Sequence, residues 1–91
     1  MIFDWNDEKN EQLKAERGIS FEEIVWYIEN GSLLGIMDNP NYPNQRLFAV
    51  KIEDYVYLVP FVKKDDGVFL KTLYPSRKMT KRLLGNQEDH E

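Results

Sequence analysis

The chain has 91 residues, 42% of them apolar and 13% aromatic, with a net charge of −4 and no cysteine. That is material for one domain, and it excludes a disulfide framework or a thiolate zinc site. The longest uncharged stretches span only eight residues, 55–62 among them, too short to cross a membrane, and the acidic balance argues mildly against a nucleic-acid binder.

Residues Ile2–Trp5 alternate apolar and polar side chains and predict a short edge strand. Asn6 caps a following helix, with Asp7 and Glu8 at its positive end, and Gly18 stops it after Arg17. Its apolar content is only Leu13 and Ala15, so it is expected on the surface, packed by its ends. Ser20-Phe21-Glu22-Glu23 reads as a capping box. Phe21, Ile24, Val25 and Ile28 then form one helical stripe, ended by Gly31 and expected to be buried.

Residues 33–37 are a candidate strand, and 38–45, with two prolines and three asparagines, a loop. Arg46–Ile52 alternates with Phe48, Val50 and Ile52 on one face. Glu53-Asp54 turns the chain into a strand at 55–62, apolar on both faces and therefore central. Pro60 cannot donate to a ladder, so a bulge or an end of pairing is expected there. Asp65-Asp66-Gly67 signals a hairpin into a strand at 68–74. A basic helix runs from Ser76 to Leu84 and ends at Gly85, with Met79 and Leu83 packing inward. The expected fold is α+β: two N-terminal helices, an antiparallel sheet of three to four strands, and a short C-terminal helix, with residues 1–85 as one domain and 86–91 a disordered polar tail.

Charge is unevenly placed. Residues 1–30 hold eight acids against three bases, whereas residues 63–85 hold seven bases against two acids. Arg77, Lys78, Lys81 and Arg82 recur at i, i+1, i+4, i+5 of the last helix, with Lys71 on the strand before it and Lys63 and Lys64 before the hairpin turn. Such a cluster suits a polyanion. It equally suits a solvated helix face, or a docking face for the chain's own acidic N-terminal helix. The single histidine, His90, lies in the tail, which removes histidine triads and histidine metal sites. There is no P-loop and no G-x-G-x-x-G. No metal or cofactor is expected, and the start of the chain shows no signal peptide, so a cytoplasmic protein is expected.

The run Phe3-Asp4-Trp5-Asn6-Asp7-Glu8-Lys9-Asn10, followed after six residues by Arg17-Gly18-Ile19-Ser20-Phe21-Glu22, resembles the start of BrnT-family toxins, which read F-x-W-D-x-x-K-N and then K-H-G-V-S-F-E. Tyr74-Pro75-Ser76-Arg77-Lys78-Met79-Thr80 is similar to that family's final strand and its S-x-R-x-A-T run. Between the two ends only the strand order is similar. Asn6 replaces an aspartate of the pattern, Leu13 an asparagine, and Glu16-Arg17 the Lys-His pair, so the family's histidine is absent.

The resemblance implies a RelE-like fold and a bacterial type II toxin: an endoribonuclease neutralised by a cognate antitoxin, with RNA as its other partner. Without the histidine, Glu, Asp, Lys or Tyr must move the protons. Arg77, with Arg46 or Lys78 beside it, is the candidate for stabilising the phosphorane. Tyr74 or Tyr57 is the candidate for stacking on a base. Lys71, Lys78, Lys81 and Arg82 are the expected RNA-backbone contacts. Two rivals remain: a non-catalytic interaction module of the same fold, and a regulatory protein that binds a partner through Trp26, Tyr27 and Tyr42.

Overall fold

A computed structural model describes residues 1–85; the tail expected at 86–91, with His90, lies outside the described residues. The elements run β1 (Ile2–Trp5), α1 (Asp7–Arg17), α2 (Phe21–Glu29), β2 (Leu33–Asp38), β3 (Arg46–Ile52), β4 (Tyr55–Lys64), β5 (Gly67–Leu70), β6 (Tyr74–Pro75) and α3 (Arg77–Leu84). Among the described residues no helix is long and apolar enough to cross a membrane.

The helix caps follow from side-chain chemistry. The Asn6 side chain accepts from the Lys9 amide at 2.9 Å, and Gly18, at φ 73°, ends α1 in the left-handed region that glycine tolerates. At α2 the capping box is complete: Ser20 Oγ accepts from the Glu23 amide at 3.1 Å and Glu23 Oε1 accepts from the Ser20 amide at 2.8 Å. Within the α2 stripe Phe21 and Ile24 are fully buried, while Val25 and Ile28 are only half-buried against the same core. The helix lies over β3 and β2 at one side of the sheet, so its outer flank keeps contact with solvent.

Helix α1 departs from the expectation that its ends would hold it. Its middle does so, through buried Leu13 and buried Asn10. The Asn10 side chain donates from Nδ2 to Glu22 Oε1 at 2.8 Å and accepts at Oδ1 from the Phe21 amide at 2.8 Å. It thereby satisfies one of the orphan amides at the start of α2.

The sheet order is β1-β5-β4-β3-β2, with β6 paired to β4 beside β5. The pairs are antiparallel except β1 with β5, which is parallel. The sheet is thus mixed and has six strands rather than three or four. The short-connection argument applies to hairpins, and β1 reaches its partner across most of the chain. The expected last strand at 68–74 is split: β5 ends at Leu70 and β6 begins at Tyr74. Pro60 sits at that change. It pairs with Leu47 in unbroken register on one side, and on the other its carbonyl accepts from the Lys71 amide at 2.8 Å. Because N–H and C=O of one strand residue point the same way, the missing proline donor falls where β4 exchanges β5 for β6 as its neighbour.

Strand alternation divides two cores. One face carries Phe48, Val50, Val59, Phe61, Val68 and Leu70, and buries Leu13, Phe21 and Ile24 of the N-terminal helices. The other carries Leu47, Ala49, Val56 and Leu58, and buries Met79 of α3. The acidic helices and the basic helix therefore lie on opposite faces of the sheet.

Candidate nucleic-acid interface

Helix α3 is seated on β4 by the Thr80 hydroxyl and the Ser76 amide. Ser76 caps the helix, its Oγ accepting from the Met79 amide at 3.1 Å. Its own amide donates to the Val56 carbonyl at 2.9 Å. Thr80 Oγ1 accepts from the Val56 amide at 2.8 Å and donates to the Ser76 carbonyl at 2.7 Å. Val56 thus has both backbone groups on this side met by one turn of α3. Met79 is buried and Leu84 packs beside it, whereas Leu83, expected inside, is 38% exposed. The inward row runs through Thr80 and Leu84, four residues apart, which turns Leu83 outward.

That seat leaves Arg77, Lys78, Lys81 and Arg82 exposed, with no acid in the helix. None of the four forms an ion pair among the described residues. The i, i+4 rows separate them into two flanks. Lys78 and Arg82 face a groove of about 420 Å³ whose walls include Tyr74, Leu47, Leu58, Asp38 at the end of β2 and the loop residue Asn39. Lys81 lies beside Lys51 and Thr80 on the opposite flank. The loop wall is ordered by Asn39, which donates to Gln45 Oε1 at 3.3 Å and accepts from the Asn41 amide at 3.0 Å.

Beyond α3 the same sheet face continues through Val62 and Phe69, which are paired in the β4–β5 register. Lys71 Nζ and Lys64 Nζ stand 5.5 and 5.6 Å from the centre of the Phe69 ring. Lys64 also donates to Asp4 Oδ2 at 2.7 Å, which holds the Asp4 carboxyl below its ordinary value of 3.8 and raises Lys64.

Of the residues singled out in the sequence, Arg77, Lys78, Lys81, Arg82, Tyr74 and Lys71 share this face. Arg46 does not. It projects from β3 on the side of Phe48, into a cleft of about 520 Å³ with Phe61, Lys63 and Val68. It approaches the α3 groove only through Asp38, with Nε 3.4 Å from Oδ1. Tyr57 packs into the N-terminal core on that opposite face, so Tyr74 alone of the two stands near the basic helix. The proposed pairing of α3 with the acidic N-terminal helix is ruled out by the sheet between them. Lys64, singled out with the basic cluster, also lies on this face, whereas Lys63 points to the other. Phe69 was missed by the sequence reading; its signal was the period of two in β5, which puts it on the face of Leu58 and Lys64.

Chemically the face offers cations for phosphate oxygens and two aromatic rings, Tyr74 and Phe69, for stacking. Asp38 is the one carboxylate on the groove wall. Among the described residues no group of three or more histidine, aspartate or glutamate side chains is gathered to hold a metal ion. No protein-family model, curated protein or solved structure matches the chain.

Proposed function

We propose that the chain is an RNA-directed toxin of a type II toxin–antitoxin pair, an endoribonuclease that acts in the cytoplasm and is silenced when its antitoxin covers α3. The observation that carries this reading is the set of four bases on α3 that has neither an acid in its own helix nor an ion pair among the described residues. Bases held without counter-ions keep their charge for an external polyanion. The similarity of both chain ends to BrnT toxins supports the same reading.

In this scheme Lys78, Arg82, Lys81 and Lys71 hold the backbone without selecting sequence. Tyr74 stacks on a base beside them. Arg77, at the first turn of α3 beside backbone amides, stabilises the phosphorane charge. Arg46 takes no direct part, because the sheet separates it from α3; its effect is confined to Asp38.

Arg77→Ala is expected to abolish growth inhibition and RNA cleavage while shifting the melting temperature by less than about 2 °C, since an exposed arginine without a partner contributes little to stability. Lys81→Ala and Arg82→Ala are each expected to reduce the slope of log affinity against log salt by about one unit. Loss of stability in Arg77→Ala with per-molecule activity intact overturns the assignment.

A second reading, RNA binding without cleavage, is favoured by the make-up of the groove wall, which includes no histidine and a single carboxylate already beside Arg46. Retained RNA binding with no cleavage products under single-turnover conditions selects it.

A further inference from the structure

On the face opposite α3, the end of α1, the flank of α2 and the β3–β4 turn enclose a cleft of about 440 Å³. Its ionisable walls are Tyr27, Tyr55, Tyr57, Glu23, Glu53 and Asp54, and no lysine or arginine lines it. We propose that this cleft binds a guanidinium or alkylammonium side chain presented by a basic segment of a protein partner.

Three aromatic rings and three carboxylates around one concavity have a single complementary ligand class. A cation is drawn to the ring faces, and more strongly where water is excluded. Guanidinium suits the mixture best, because its plane stacks on tyrosine while its edge donates to carboxylates. The carboxylates are not gathered for metal chelation among the described residues. Their charge is spread around the cleft, as a broad organic cation requires.

The groups are also available. Among the described residues, Glu53, Asp54 and the three tyrosine hydroxyls have no protein hydrogen-bond or ion-pair partner. Glu23 uses Oε1 in the α2 cap. Tyr55 and Tyr57 stand edge to face, with ring centres 6.3 Å apart.

A polypeptide source is indicated by Trp26. It is 60% exposed and stands edge-on to Tyr27 at 5.3 Å, so apolar surface lies beside the cleft for the chain that carries the cation. The cleft is separated by the sheet from the basic face, so this inference stands apart from the RNA reading.

The test uses the full chain with ¹³C-labelled tyrosine rings, titrated with a capped Arg-Gly-Arg peptide, a capped Glu-Gly-Glu peptide and spermine. Tyr42 and Tyr74 lie outside the cleft and serve as internal controls. The expected result is a saturable shift of Tyr27, Tyr55 and Tyr57 with the arginine peptide alone. Affinity should fall about tenfold or more in Glu53→Gln/Asp54→Asn, and likewise in Tyr55→Ala, with the melting temperature kept.

Absence of a saturable shift overturns the proposal, and so does equal affinity in the variants. Tighter binding of spermine than of the arginine peptide also overturns it, in favour of a free polyamine. None of these outcomes bears on cleavage, which the Arg77 variant decides on the other face.

Discussion

Asn10 is a polar side chain doing the work of a core residue. It is buried, and its amide links two helices by meeting the Phe21 N–H and Glu22 at once. Removing it leaves a buried donor without a partner, so Asn10→Ala is expected to cost about 1–3 kcal/mol at neutral pH. A pH dependence accompanies it. The Asn10 amide holds the Glu22 carboxyl below its ordinary value of 4.5. The unfolded chain therefore takes up that proton at higher pH than the folded one. The contribution is complete above the ordinary carboxylate value and is lost as pH falls through the folded value. The gap between wild type and Asn10→Ala should accordingly narrow in urea titrations at about pH 3.5 compared with pH 7. A gap that widens on acidification would contradict this account. Asn10 was visible in the sequence only inside the Lys9-Asn10 pair of the toxin resemblance, because nothing in helical periodicity marks a polar residue as buried.

At the level of elements, legibility followed locality. The caps at Asn6, Ser20 and Ser76 and the stops at Gly18 and Gly85 could be read because each rests on residues within one turn. The two-residue turns at Glu53-Asp54 and Asp65-Asp66 were equally plain, with Glu53 at φ 58° and Asp65 at φ 46°. The break after Leu70 was not legible, because Lys71-Thr72-Leu73 looks as extended as its neighbours and only the change of partner along β4 ends the strand. The candidate site was half legible. Alternation in β3 already grouped Arg46 with Phe48 and Val50, but the face that α3 would take was not written in its sequence. What fixes that face is the hold of Ser76 and Thr80 on Val56. Thr80→Val keeps the shape and strands the Val56 amide, so it should destabilise by about 1–3 kcal/mol, whereas Thr80→Ser should recover most of the loss. Denaturant midpoints of the two variants decide it. Equal loss in both would mean that the Thr80 methyl, and not its hydroxyl, holds the helix.

For the molecule as a whole, the sheet acts as a partition between opposite charges. Seven acids of α1 and α2 lie on one side of it and four bases of α3 on the other. A polyanion approaching the molecule would be attracted to the α3 face and repelled from the other, although the chain as a whole is acidic. The partition is completed only at the edge where β1 lies parallel to β5. Gly67 permits that approach, since a Cβ there would land on the Ile2 carbonyl. Gly67→Ala should cost roughly 3 kcal/mol and expose the amides of β1 to rapid hydrogen exchange; protected β1 amides in that variant would show the contact to be dispensable. The same edge has a consequence in time. β1 is paired with a strand made more than sixty residues later, so Phe3 and Trp5 wait for their cover until β5 has been made. Closure of the sheet is then a long-range event of the kind that slows folding, and until β5 has emerged β1 is a loose strand open to whatever binds it.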